Sequence, residues 1–192
     1  MTTIATTSTQ SLPGYVAGTW DIDPVHSEVS FVVRHMVVSK VRGRFNEFTG
    51  TIVTAEDPLA SSVEATIDAA SIDTNQDQRD AHVRSADFLD VESHPSITFT
   101  STALRANGDD WVLDGDLTIR GVTKPAVLEV TGLKPAIKDP WGLQRTAVSG
   151  TTKINRQDFG LTYSETLDNG GLVVGNEVEI TLDVEMIVPP GK

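Results

Sequence analysis

The sequence predicts an all-β fold: a single antiparallel eight-stranded barrel with one short helical insertion. Three observations carry that expectation. Thr, Val and Ile number 23, 22 and 11, so 56 of 192 residues are β-branched, and such side chains lose rotamer freedom in a helix but pack well on a pleated sheet. Apolar and polar residues alternate strictly over long runs, the pattern of a strand with one wet face. The runs number about eight with short connections, which suits an antiparallel sheet that closes on itself and so removes its edges.

Taken in order, the first eighteen residues, MTTIATTSTQSLPGYVAG, read as a Thr/Ser-rich disordered lead-in, and residues 19–188 as one barrel domain. Val29, Phe31 and Val33 form one face against Glu28, Ser30 and Arg34. Between Val41 and Ala55 the phase slips: Val41 and Phe45 share one parity, Phe48 and Ile52 the other. A bulge near Asn46–Glu47 that bends the strand accounts for the slip. Weaker alternation runs through Val63–Ile72. Thr74-Asn-Gln-Asp77 resembles a capping signal and predicts a helix over Gln76–Phe88. Ile97, Phe99, Ser101 and Ala103 oppose Thr98, Thr100 and Thr102; Leu113, Gly115, Leu117 and Ile119 oppose Asp114, Asp116, Thr118 and Arg120. Pro125–Leu133 and Gln144–Ile154 follow, with Gly121 and Gly160 at turns. The last strand is the clearest, Val178, Ile180, Leu182, Val184 and Met186 alternating with acidic residues and Thr181.

The inward face is unusual in what it lacks. Beside Phe31, Phe45, Phe99 and Leu117 it carries Ala65, Ala69, Ser101, Ala103, Gly115, Gly132 and Gly150. A solid core fills itself with large side chains, and empty apolar space is destabilising. Small residues on several strands therefore predict a lumen whose volume belongs to a guest, and eight strands suffice to hold one small ligand. The competing reading is a β-sandwich interaction module with a filled core.

Composition excludes several classes. A net charge of −12 and a pI near 4.6 oppose nucleic acid and anionic headgroups. Cysteine is absent, which removes thiolate chemistry and cysteine-ligated metals. No run approaches the length of a membrane span, and the lead-in has no Lys, Arg or long apolar run, which predicts a cytoplasmic protein. Nucleophile-elbow, phosphate-loop and dinucleotide motifs are missing; no catalytic residue, cofactor or metal is expected. The four histidines, His26, His35, His82 and His94, match no zinc spacing, and a composite site of His26, His35 and His82 with Asp80 is disfavoured. Arg156 and Asp158 read as an ion pair at a strand corner. The expected binding site is a wall of Phe31, Val33, Phe45, Ile67, Phe99, Leu117, Ile119 and Leu182, with His35, Arg79 and His82 facing a polar ligand end. In the enzymatic alternative His35, His82 and Asp80 transfer protons on the bound molecule.

A series of short motifs carries a family resemblance. They are Trp20-x-Ile-Asp-Pro-x-His26-Ser, Phe31-x-Val-Arg-His35-Met, Val41-Arg-Gly43-Arg-Phe45, Ser71-Ile-Asp-Thr74 and Arg79-Asp-x-His82, then Asp87-Phe-Leu-Asp90, His94-Pro-x-Ile-Thr-Phe99-x-Ser, Gly115-Asp-Leu-Thr-Ile-Arg-Gly-Val-Thr-Lys124-Pro and Ile154-Asn-Arg-x-Asp-Phe-Gly160. In this order, over about residues 19–188, they resemble the YceI-like family of polyisoprenoid-binding proteins with a lipocalin-like barrel. The resemblance implies an extended eight-stranded barrel, a lumen for an isoprenoid or similar long-chain amphiphile, and frequently a homodimer, but no settled reaction. The function expected from the lumen is that of a carrier or storage protein for such a lipid, a quinone precursor among them. Many members of that family are exported to the cell envelope.

Overall fold

The structure, a computed structural model, describes residues 14–36, 38–108, 110–166, 170 and 172–188. Its strands are β1 (Gly18–Ile22), β2 (Glu28–His35), β3 (Ser39–Phe45), β4 (Phe48–Thr54), β5 (Ser62–Asp68), β6 (Ile72–Asp73), β7 (Ser96–Asn107), β8 (Asp110–Ile119), β9 (Val122–Thr131), β10 (Ile137–Lys138), β11 (Gln144–Asn155) and β12 (Val174–Ile187). One α-helix is found among the described residues, α1 (Asp77–Arg84).

These pieces make eight strand positions. β1 and β2 form one antiparallel neighbour of β12, broken by a corner between them. β3 and β4 form the next, paired with β2 and β1 respectively, and β5 with β6 the third. Then follow β7, β8, β9 and β11, and β11 pairs along its whole length with β12 to close the barrel. The phase slip near Asn46–Glu47 is the corner between β3 and β4. There Asn46 N–H donates to Ser71 O (3.1 Å) and Glu47 O accepts from Asp68 N–H (2.9 Å). Closure into one sheet displaces the sandwich reading.

Local chemistry sets the details. The β8–β9 turn is the two-residue pair Arg120–Gly121 at φ 50° and 71°, the double positive φ that matches strand twist in a tight hairpin. α1 is shorter than expected: Gln76 is its N-cap, its side chain accepting from Arg79 N–H, and Ser85 ends it. In β7 an extra residue at Thr102 shifts the register between Ser101 and Ala103. Parity therefore flips, Ala103 turns to solvent and Leu104 turns inward, correcting the inward placement of Ala103.

The two ends of the barrel differ. At the base, Trp20, Ile52 and Met186 form a small filled core, and Trp20 Nε1–H donates to Thr54 Oγ1 (2.8 Å). Gly14 and Tyr15, placed in the disordered lead-in by the sequence, belong here: Gly14 O accepts from Ala136 N–H (2.9 Å) and the Tyr15 hydroxyl donates to Ala55 O (2.8 Å). Residues 1–13 lie outside the described residues. At the other end, the mouth, stand the β2–β3 turn, α1 and the segment 156–165. No helix among the described residues is long and apolar enough to cross a membrane.

Candidate functional site

Above the base core the barrel encloses a cavity of about 570 Å³ with an overwhelmingly apolar wall. All eleven side chains expected at a binding site line it: Phe31, Val33, His35, Phe45, Ile67, Arg79, His82, Phe99, Leu117, Ile119 and Leu182. The β12 face Val178, Ile180, Leu182, Val184 and Met186 does so too. Phe31, Val33, Phe45, Ile67, Phe99 and Leu182 point inward yet are only half-buried. In a filled core they would be sealed; their free surface here is the surface of the lumen.

The small inward residues do several jobs. Gly150 opens onto the lumen, where an added Cβ would meet Leu182 Cδ1 at 3.6 Å and Leu128 Cδ2 at 3.8 Å. Ala65 lines the cavity. Gly115 is different. A Cβ there would fall 2.3 Å from Phe99 Cζ and 2.7 Å from Thr100 O, so the space belongs to the Phe99 ring lying across the glycine. Gly132 is exposed at φ 68°, a turn position after β9. Gly115 and Gly132 are thus not guest volume, contrary to expectation, and Ala69 is sealed in the core beside the lumen.

Polar groups gather at the mouth. His82 stands edge-on to Phe88 and Tyr163 with centroids 5.1 and 4.9 Å away, and its Nε2 lies 2.9 Å from Asp87 Oδ2. Arg79 lines the cavity while Nε–H and Nη2–H donate to Thr74 Oγ1 and O, both at 2.7 Å. Asp80 is buried and accepts from Thr74 N–H (3.0 Å) and from its hydroxyl. Of the three residues in the enzymatic alternative, His35 and His82 line the cavity, while Asp80 holds a turn and the carboxylate against His82 is Asp87.

Sequence reading missed the role of Arg156. This residue is 3 % exposed, lines the cavity, and donates to Gly175 O (2.9 Å), Tyr163 O (2.8 Å), Val174 O (3.2 Å), Asn176 Oδ1 (3.2 Å) and Leu161 O. The expected ion pair with Asp158 is absent, because Asp158 is exposed and Arg156 spends its donors elsewhere. A register shift between β12 and β2 from Val174 to Val178 leaves the carbonyls of Val174 and Gly175 open, and the loop after β11 adds those of Leu161 and Tyr163. A forked, multiply donating cation satisfies all four together. No described carboxylate pairs with it, and burial lowers its pKa from the usual arginine value. Tyr163 joins the wall here as well, and Arg34 borders the rim from the outer face of β2.

His26 sits at the base instead, so the composite His26–His35–His82 site is not formed. His26 and His35 flank opposite ends of β2, an eight-residue strand about 23 Å long. His26 Nδ1 is 2.9 Å from Asp23 Oδ2, and Arg145 binds Asp23 (2.7 Å), Asp139 (2.7 Å) and Glu185 (2.5 Å). Ligand atoms of Asp23, His26 and Glu185 lie within 4.8 Å of one another, a spacing that could suit a metal. The Arg145 guanidinium already supplies the cation. Burial alone would raise the Asp23 carboxyl, but hydrogen bonds from His26, Arg145 and the Val25 N–H outweigh it and hold the pKa at about 2. The Asp-Pro-x-His motif is thus a clamp between the β1–β2 corner, β11 and β12.

The lumen, the Arg156 clamp and the Asp23 corner use the same motifs that carried the family resemblance. A family model described as the YceI-like domain matches residues 20–186. The chain belongs to the YceI-like family. Protein YceI of Escherichia coli is 42% identical over 149 residues, 76% of this chain and 78% of that protein. The crystal structure of Burkholderia cenocepacia BcnA superposes with a TM-score of 0.72 at 25% identity, covering 85% of this chain and 98% of that one. A polyisoprenoid binding domain from Saccharophagus degradans, implicated in plant cell wall breakdown, has a TM-score of 0.65 at 19% identity over 88% of this chain and 98% of its own. At that identity the likeness is one of fold.

Proposed function

We propose that this YceI-like protein binds a long-chain isoprenoid or related amphiphile, such as a quinone precursor, in its lumen and serves as a carrier or store for it. The observation that carries the reading is the apolar cavity of about 570 Å³ whose inward Phe, Val, Ile and Leu side chains keep free surface. That volume falls in the ~300–1,000 Å³ range of small-molecule sites. Each methylene-sized unit buried there contributes about 0.8 kcal/mol before ordering costs, so affinity grows with chain length. The binding domain of Saccharophagus degradans supports the ligand class by its fold.

The head of the molecule belongs at the mouth, against His35, Arg79 and His82, with the uncompensated charge of Arg156 behind them. These groups favour an electron-rich or anionic head, such as a phosphate or a quinone ring. Titration of delipidated protein with prenyl alcohols and prenyl phosphates of increasing length tests this. The reading expects affinity to rise with length, and Arg79→Gln to weaken the phosphates more than the alcohols. No binding of either series contradicts it. The homodimer that goes with this reading is tested by sedimentation equilibrium.

A further inference from the structure

We propose that the β2–β3 turn at the mouth is a docking tip that inserts into an anionic phospholipid surface. The turn carries Met36, 41 % exposed, and Val38, 86 % exposed, where hairpin turns ordinarily take Asn, Asp or Gly. Met36 moreover adopts φ 50°, a left-handed conformation that suits Gly or Asn and is uncommon for a long apolar side chain. At the boundary between headgroups and acyl chains, apolar side chains gain burial.

Charge supplies the second, independent observation. Between Glu28 and Glu47 the sequence holds no carboxylate but has Arg34, Lys40, Arg42 and Arg44, four of the 15 Lys and Arg in a chain of net charge −12. Register sets Arg34 opposite Lys40, Val32 opposite Arg42 and Ser30 opposite Arg44, so the four cations share the outer face of one hairpin. Arg44 pairs with Asp73 (3.3 Å); Arg34, Lys40 and Arg42 have no carboxylate partner among the described residues. On the same face of β12, Glu177, the next residue towards the tip from the Val178–Val33 pair, is taken by Lys153 (3.3 Å), and Glu179 lies opposite Val32, about 7 Å further from the tip than Arg34. With a Debye length of about 8 Å at physiological salt, an approaching membrane meets the cations and the apolar tip first. Of the other carboxylates at this end, Asp87 lies against His82, Glu165 accepts from the Tyr163 hydroxyl, and Asp77 of α1 and Asp158 are exposed, away from the hairpin's own sequence.

Orientation follows from the contrast with the base. Exposed Val25, Ile137 and Trp141 also form apolar surface, but they stand by Asp23, Asp139 and Glu185, which disfavour an anionic bilayer. The tip, by contrast, is continuous with the lumen: His35 belongs to its wall, and Met36 N–H donates to Val173 O (2.9 Å), which carries the β2–β12 pairing up to the rim. Docking there lets a long-chain lipid pass between bilayer and lumen without crossing water. That purpose rests on the carrier reading; the docking itself does not.

Flotation of the full-length protein with phosphatidylcholine vesicles, with and without a minority of phosphatidylglycerol, tests the proposal. Binding is expected with the anionic vesicles only and weakens as salt is raised. Val38→Asp and, separately, Lys40→Glu with Arg42→Glu are each expected to weaken it roughly tenfold or more, while Trp141→Asp leaves it unchanged. Thermal melts establish that each variant is folded, and the exposed charge pair serves if Val38→Asp is not. Val38→Trp adds a direct reading, a blue shift of emission on vesicle addition. Absence of flotation, flotation indifferent to both tip variants, or loss on Trp141→Asp overturns the proposal. Solvent-extractable lipid is measured on the same preparations: a retained guest without flotation overturns docking alone, and flotation without any guest supports docking while contradicting the carrier reading.

Discussion

Gly150→Leu separates a hollow barrel from a filled one. Gly150 lies in β11 between Val130 of β9 and Leu182 of β12. A Cβ there makes only ordinary contacts at 3.6 and 3.8 Å, so the rest of a leucine projects into the cavity of about 570 Å³. In a hollow lumen the new side chain gains up to about 1.5–3 kcal/mol of apolar burial, offset by about 0.5–1 kcal/mol of rotamer entropy. Stability of the empty protein is therefore unchanged or higher by a kcal/mol or so, and Tm rises by at most a few degrees. The guest loses room for about four carbons, about 3 kcal/mol at 0.8 kcal/mol per methylene, or roughly a hundredfold in affinity. Calorimetric melting of delipidated protein and titration with a long prenyl alcohol read the two effects. A filled interior would instead show overpacking strain of ~1–3 kcal/mol, with a Tm several degrees lower. Either that drop or unaltered uptake refutes the reasoning.

Other consequences follow from particular contacts. Gly115→Ala is expected to destabilise by about 1–3 kcal/mol in urea denaturation, because the added Cβ collides with the Phe99 ring and the Thr100 carbonyl; Ala103→Leu, facing solvent, leaves stability and uptake nearly unchanged. Arg156→Lys cannot satisfy the carbonyls of residues 161, 163, 174 and 175 at once, so hydrogen exchange accelerates in these segments with the base protected as before. The Asp23 carboxyl, held at about 2 against an ordinary 3.8, contributes stability that is fully present above the ordinary value and is lost as pH falls through the folded one. Acid titration of the urea midpoint therefore drops between about pH 4 and pH 2, and Asp23→Asn flattens that window while lowering stability at neutral pH.

Much of the barrel was legible because strand periodicity is a local signal. The β12 face from Val178 to Met186 and the β2 face from Val29 to Val33 each follow from alternation alone, and the Val41–Ala55 slip marked a real corner. What failed were positions where one residue changes the phase or one ring claims the space. Thr102 adds a residue to β7 and turns Ala103 outward, and nothing in a Thr/Ser/Ala run distinguishes a bulge from plain alternation. Gly115 looked like vacant volume because the sequence does not say that Phe99 folds across it. The eleven expected wall and mouth residues do line the cavity: parity fixes which side chains face inward for the nine on strands, and Arg79 and His82 come to the mouth on α1. Arg156 escaped notice for a related reason: its partners are mostly backbone carbonyls, two at a register shift and two in the loop after β11, and carbonyls leave no mark in sequence. Its place in Ile154-Asn-Arg, just where a strand ends before Phe159 and Gly160, was the available hint.

The central claim, that the lumen belongs to an apolar guest, meets its most direct test in native mass spectrometry of freshly purified wild-type protein. The expected spectrum shows protein carrying added mass that disappears on organic extraction, that re-forms with a long prenyl lipid, and that Gly150→Leu diminishes. A bare-mass protein that takes up no prenyl lipid after incubation contradicts the account.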